Sequence, residues 1–429
     1  MRTSITYNPK NGEHFKKQLL IWAQQYREIV FLDSNNYHQH YSSYDAVLAV
    51  DALTSVQTDY HHAFDDLNAY HLTTKDWLFG YLSYDLKNDT EKLHSNNYDG
   101  LEFPDLFFFQ PKKLFLIKGD KIEIAYLNMC DDEIDEDIKA IEQTEVSESR
   151  NNSDKIKIEQ RISKESYIEK VQQMLEHIHL GDIYEANFCM EFYAENAIIN
   201  PVEKYLALNA LSEPPFAAYF KNQTHYLLSA SPERYLRKES YKIISQPIKG
   251  TARRSENTDE DAAIKTELTK NEKERSENIM IVDLVRNDLS RTAQKGSVNV
   301  EELCGAYTFK QVHHLISTVV SKLDEEHTSV DAIKASFPMG SMTGAPKISA
   351  MQIIEKLEET KRGLYSGAVG YFTPTNDFDF NVVIRSILYN AENQYVSFSV
   401  GSAITSKADP EKEYEECLLK AKAMRMVLE

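Results

Sequence analysis

Glycine and proline are scarce here, at 14 and 12 of 429 residues, which excludes a collagen-like or linker-dominated chain. Cysteine is scarcer still. Cys130, Cys189, Cys304 and Cys417 lie far apart with no CxxC pair, so neither a disulfide framework nor a zinc site is expected. A reducing, cytoplasmic setting follows as the expectation. No apolar run approaches the ~18 residues of a membrane span, and the N-terminal MRTSITYNPKNGEHFKK lacks the apolar stretch of a signal peptide. Positive charge is in deficit, with 48 Lys plus Arg against 67 Asp plus Glu and a net charge of −19. That balance argues against a nucleic-acid binder and against a surface that clings to anionic membranes. An anionic substrate would need local cations or a metal.

What is present is a chain long enough to bury a core without staples. Residues 131–165 carry no aromatic residue and many charges, and they read as a solvated connection or an exposed helix. A boundary placed there divides the chain into 1–158 and 159–429. Before it, KLFLIKG and KIEIAYLN read as antiparallel strands. After it, Ser163 precedes an amphipathic helix with Ile168, Val171, Met174, Leu175 and Ile178 on one face, stopped by Gly181. Residues 259–290 read as one long helix or two, and the final DPEKEYEECLLKAKAMRMVLE as another. Neighbouring strands that hairpin more often than they cross over predict an α+β fold with large antiparallel sheets.

Chemistry concentrates in the second half. Glu274 and Glu277 are spaced i, i+3 on one predicted helix, and Glu413 and Glu416 repeat the spacing on another. Facing each other, four carboxylates would need a cation, and oxygen-only ligands point to Mg²⁺; solvated helix faces are the plainer reading. Lys249, in QPIKGT, is either a desolvated lysine of lowered pKa suited to nucleophilic attack or an outward strand lysine. Glu233 is a candidate general acid, or the partner of Arg234 or Lys238. Gly340–Lys347 (GSMTGAPK) fails the phosphate-loop pattern but could offer backbone N–H groups where a helix begins. Gly401-Ser402-Ala403 could do the same for a carboxylate. Arg385, mid-strand in VVIRSI, suits a carboxylate clamp or a structural ion pair. His313 and His314 read as one core histidine and one outside.

PIKGTARR, ENIMIVDLVRNDLSR, GSMTGAPKISAM, YSGAVGYF, VIRSI and EYEECLLKAKA follow one another in this order. Together they resemble the chorismate-utilising enzymes, which include anthranilate synthase component I, aminodeoxychorismate synthase component I, and the isochorismate and salicylate synthases. The resemblance is strong over roughly 160–429 and weaker over 1–130, where GYLSYDLKND and FPDLFFFQP carry it. It implies a large two-layer α/β sandwich around a central cleft, with Mg²⁺ and the dianion chorismate as substrate. It implies metal-ligand roles for Glu277 and Glu416, with Glu274 and Glu413 beside them, and an acid role for Glu233. It implies substrate contacts from Gly250, Thr251, His314, Thr343, Gly344, Tyr365, Arg385, Gly401, Ser402 and Ala403.

Within the family, PIKGT resembles the aminodeoxychorismate form, where the lysine attacks ring C2 and ammonia then adds at C4; anthranilate synthases typically have PIAGT. Isochorismate and salicylate synthases carry a water-activating lysine near the segment that matches 181–187. Here Glu185 or a neighbour takes that place and no lysine is found. GDIYEANF resembles the ammonia-using branch, with Glu185 where glutamine is commoner. No glutaminase nucleophile turn and no lyase region are visible. The resemblance therefore implies a separate glutamine amidotransferase subunit as the ammonia source and release of the aminated product. Leu32-Asp33-Ser34 sits where related enzymes carry a tryptophan-pocket motif.

Overall fold

The computed structural model describes residues 1–37, 40–146, 156–310 and 312–429. Twenty strands among these residues join into one continuous system, and every pairing between them is antiparallel. The α+β fold with extended antiparallel sheets is thus what the chain forms. The long antiparallel pair of Ala46–Thr58 with Leu106–Lys118 belongs to two layers at once. One layer runs from it through Glu28–Asp33, Phe216–Asn222, His225–Ser231, Ser386–Asn390 and Tyr395–Thr405 to Glu185–Ala194. The other runs through Leu78–Leu82, Ala368–Phe372, Phe378–Val382, Arg234–Glu239 and Lys242–Ser245 to Val312–Lys322.

The two layers face each other across an aromatic core that includes Phe79, Tyr81, Phe107, Phe109, Phe220 and Tyr371. The near-continuous apolar run LFFFQPKKLFLI is explained by this burial, since a strand covered on both sides needs no polar alternation. Helices cover the outer faces. Helix Lys164–Leu180 packs with the C-terminal helix Pro410–Leu428 on one side, and Glu272–Ser290 with Ser329–Ser336 on the other. Among the described residues, no helix is long and apolar enough to cross a membrane.

The predicted helix after Ser163 runs from Lys164 to Leu180; Ser163 caps it by accepting from the Ser166 N–H, and Gly181 ends it at φ 85°. Its buried face centres on Tyr167, Val171, Met174 and Ile178, with Ile168 only half-buried, because Tyr167 packs against Phe188 and Tyr414. Residues 259–290 form two helices, Thr258–Lys270 and Glu272–Ser290. Asn271 breaks them with an extended backbone, and its side chain caps the second by accepting from Lys273 N and Glu274 N. In the acidic connection, Ile134–Gln143 is a helix anchored by Ile134 and Ile141, and residues 147–155 lie outside the described residues.

Candidate active site

The site is built around strand Ile248–Arg253. It pairs Ile248 with Ile316 and Thr251 with His314, so one extra residue bulges between the two pairs. Gly250 sits in the bulge at φ 98°, a conformation that a side chain would strain. The Asn278 amide donates to the Lys249 carbonyl at 3.0 Å and holds the bulge shut. The consequence is to aim Lys249 inward. Its side chain is only 15% exposed, and Nζ donates to Glu185 Oε1 at 2.8 Å. The outward-lysine reading is therefore wrong, but so is the expected lowering of its pKa. Burial does push it down, yet Glu185 and Glu277 outweigh burial and hold it above the ordinary lysine value.

Glu233 is buried and lies in the short link between strands His225–Ser231 and Arg234–Glu239. Neither Arg234 nor Lys238 pairs with it. Arg234 goes to Asp379 at 2.9 Å, and Lys238 to the Asn376 carbonyl at 2.9 Å. Among the described residues, the one side-chain hydrogen bond on its carboxyl comes from Ser341 Oγ at 2.9 Å. Burial therefore dominates and pushes its pKa up to about 7. Ser341 was not foreseen, although it lies inside the GSMTGAPK segment. That segment folds as a tight turn, Gly340–Met342, followed by Gly344–Ala345 paired to Ala186 and Glu185. Lys347, at the helix start, is half-buried and donates to Asp288 at 2.6 Å and the Ser336 carbonyl at 3.1 Å. Thr343 is fully buried, with its hydroxyl turned back to the Met339 and Gly340 carbonyls.

The histidines are both buried, not one in and one out. His313 Nε2 meets Asp261 Oδ1 at 3.0 Å, while His314 Nδ1 meets Thr251 Oγ1 at 2.9 Å. Burial lowers the His314 pKa to about 3, so it is neutral near pH 7. Arg385 is not mid-strand. It lies between Phe378–Val382 and Ser386–Asn390 at φ 52°, where the strand pattern breaks. Its half-buried guanidinium has no hydrogen bond or ion pair among the described residues, which removes the structural ion-pair reading. Burial eases its pKa down, countered by Tyr365 and Glu416, but an arginine stays charged. A charged fork without a partner beside Tyr365 and Glu416 is a ready anion site.

The glutamates come from two helices. Glu274 and Glu277 lie in the first two turns of Glu272–Ser290, and Glu413 and Glu416 in those of Pro410–Leu428. Glu413 is buried and takes a very short hydrogen bond from Ser402 Oγ. Glu416 is half-exposed and pairs with Lys420 at 2.7 Å; Lys420 also donates to the Gly401 carbonyl at 2.7 Å. Burial raises the Glu416 pKa, but Lys420, Lys249 and Arg385 outweigh it and hold the carboxyl below its ordinary value. Lys249 acts on Glu277 as well, and Lys273 acts on both Glu277 and Glu413, so the two helices share one electrostatic neighbourhood. Glu274 Oε2 would lie 3.2 Å from a Cβ at Gly250. Among the described residues, no three acidic, histidine or cysteine side chains close on one point. In kind, the set of oxygen donors fits a hard dication such as Mg²⁺.

Leu32-Asp33-Ser34 borders a small cavity apart from this cluster, shared with Tyr44, Phe216 and Arg234. There Asp33 is taken up by Lys16 at 3.3 Å.

The sequence matches the family described as chorismate binding enzyme over residues 9–426. Aminodeoxychorismate synthase component 1 of Bacillus subtilis (strain 168) is 32% identical over 393 residues, 87% of this chain and 80% of that protein. A probable chloroplastic aminodeoxychorismate synthase of Oryza sativa subsp. japonica is 41% identical over 271 residues, 62% of this chain but only 30% of that longer protein. The crystal structure of anthranilate synthase component I from Streptococcus pneumoniae TIGR4 superposes with a TM-score of 0.78 at 25% identity, covering 91% of this chain and 95% of that one. The match over nearly the whole chain makes this protein a member of the chorismate binding enzyme family.

Proposed function

We propose that the chain aminates chorismate at C4 with ammonia, giving 4-amino-4-deoxychorismate, a precursor of 4-aminobenzoate and folate. The observation that carries the reading is Lys249, turned inward by the Gly250 bulge beside the buried acid Glu233. The component 1 relative supports a separate glutamine amidotransferase subunit as the ammonia source. Glu277 and Glu416, with Glu274 and Glu413 beside them, would hold Mg²⁺, which supplies the positive charge that lets a dianion sit among carboxylates. Arg385 takes a carboxylate of the substrate, and neutral His314 keeps Thr251 oriented. The Lys249 amine bonds ring C2 as the C4–O bond breaks, and Glu233 gives its proton to the departing hydroxyl. Ammonia then bonds C4 as the C2–lysine bond breaks, and the new ammonium returns a proton to Glu233.

The likeness to anthranilate synthase component I favours one rival, chorismate to anthranilate plus pyruvate. Purified chain with chorismate, Mg²⁺ and a high ammonium concentration separates the two. The expected result is a 4-amino product with no pyruvate until an aminodeoxychorismate lyase is added. Anthranilate with pyruvate would overturn the reading. Glu277→Gln is expected to raise the Mg²⁺ concentration for half-maximal turnover at least about tenfold, with a matching loss in calorimetric Mg²⁺ binding. An unchanged titration would remove Glu277 from the metal site.

A further inference from the structure

The reaction proposed above requires Lys249 to lose a proton before it attacks and to regain one after it leaves. Its surroundings hold it charged. The carboxylate that holds it is Glu185, 3% exposed, with Oε1 at 2.8 Å from Nζ. The other oxygen, Oε2, is buried and has no hydrogen-bond partner among the described residues. An unsatisfied buried oxygen costs about 1–3 kcal/mol, more when charged, so a site that keeps one calls for an explanation. The strand fixes Glu185 in place. It pairs with Thr405 on one side and Ala345 on the other. Its carbonyl lies 2.1 Å from where a Cβ at Gly344 would be, so only glycine allows this approach. The other charged groups acting on Lys249 are Glu277, Glu416 and Glu233. Glu416 has its own lysine, Glu233 is the acid, and none of the three is hydrogen-bonded to Nζ.

We propose that Glu185 takes the proton from Lys249 to free its amine for attack at C2, and returns it when the lysine departs; this rests on the C4-amination reading. The protons balance. The Lys249 ammonium and the Glu185 carboxylate become amine and carboxylic acid. The amine then forms the C2–N bond as an alkylammonium. It leaves C2 as neutral amine when ammonia bonds C4, and Glu185 gives back the proton. The proton for the leaving hydroxyl comes from Glu233 and is restored by the new C4 ammonium, so the two carboxyl groups serve separate transfers. Glu185 acts through Lys249 and not on the substrate.

The test is Glu185→Gln, which keeps an acceptor for Lys249 but no proton acceptor. Turnover is measured from pH 7 to 9.5 with ammonium adjusted so that free NH₃ is constant. Covalent adduct is read by intact mass after mixing with chorismate without ammonia. The expected result is a loss of kcat of about 100-fold at pH 7 with KM for chorismate little changed. The loss should shrink about tenfold per pH unit as solvent deprotonates Lys249, and adduct should form slowly at pH 7. Glu185→Asp guards against misfolding and should retain the wild-type profile at reduced rate. Wild-type turnover, pH profile and adduct rate in Glu185→Gln would overturn the proposal. If the wild-type chain itself gives no 4-amino product, the amination reading has failed instead.

Discussion

Lys249→Ala is expected to lower C4 amination on the order of 10³-fold, a loss of about 4 kcal/mol of transition-state stabilisation. It should also abolish the covalent adduct. The bulge at Lys249-Gly250 turns this side chain inward, where it donates to Glu185. An ammonium only 15% exposed, hydrogen-bonded to one carboxylate among the described residues, is well placed for attack but charged at rest, so its value lies in a local proton transfer. Removing it leaves Glu185 as an unpaired buried carboxylate, which costs about 3–5 kcal/mol of stability. Activity loss in the single variant would therefore be ambiguous on its own. The Lys249→Ala, Glu185→Gln double variant removes the stranded charge and should recover much of the melting temperature without recovering amination. Any shift of the remaining turnover toward anthranilate would mark the lysine as the group that selects C4. Unchanged turnover in a folded Lys249→Ala protein would end the nucleophile role.

Local chemistry made much of this site legible beforehand. The i, i+3 glutamate pairs and the glycine after Lys249 are short-range signals, and caps such as Ser163 and Gly181 follow from backbone donors and sterics. What escaped the sequence are the long-range partners. Glu185 is 64 residues from Lys249, and Ser341 is 108 from Glu233. Only the fold decides that Lys249 is held charged, because burial and a neighbouring carboxylate push its pKa in opposite directions. The break at Arg385 was hidden for a different reason. VVIRSI reads as uninterrupted β-branched sequence, and only the tertiary pairing to Arg234–Glu239 and His225–Ser231 shows that two strands meet there. The histidine pair likewise gave no clue that Asp261 and Thr251 would satisfy both rings and let both be buried.

Glu233→Gln should cost about 10³-fold in kcat, the middle of the range for a positioned general acid. Two pH readouts separate that role from a structural one. Burial holds the Glu233 carboxyl protonated up to about pH 7, with Ser341 and Lys249 opposing. In the wild-type chain kcat should therefore fall above pH 7, to about a tenth one unit higher, as the acid form is lost. The residual rate of Glu233→Gln should lack that limb. Stability gives the second readout, and its sign is fixed by linkage. Between the ordinary carboxylate range and pH 7 the folded chain binds this proton and the unfolded chain does not. Raising pH through that window therefore destabilises the fold, by at most roughly 3 kcal/mol for a single group. Glutamine, which has nothing to titrate, should flatten the slope and make the variant relatively more stable at pH 8 than at pH 5. A variant that loses activity while keeping the wild-type pH slope in both measurements would place the titrating group elsewhere. Ser341→Ala refines the assignment. Without its hydroxyl donor the Glu233 carboxyl should hold its proton to higher pH, moving the falling limb of kcat upward and not down.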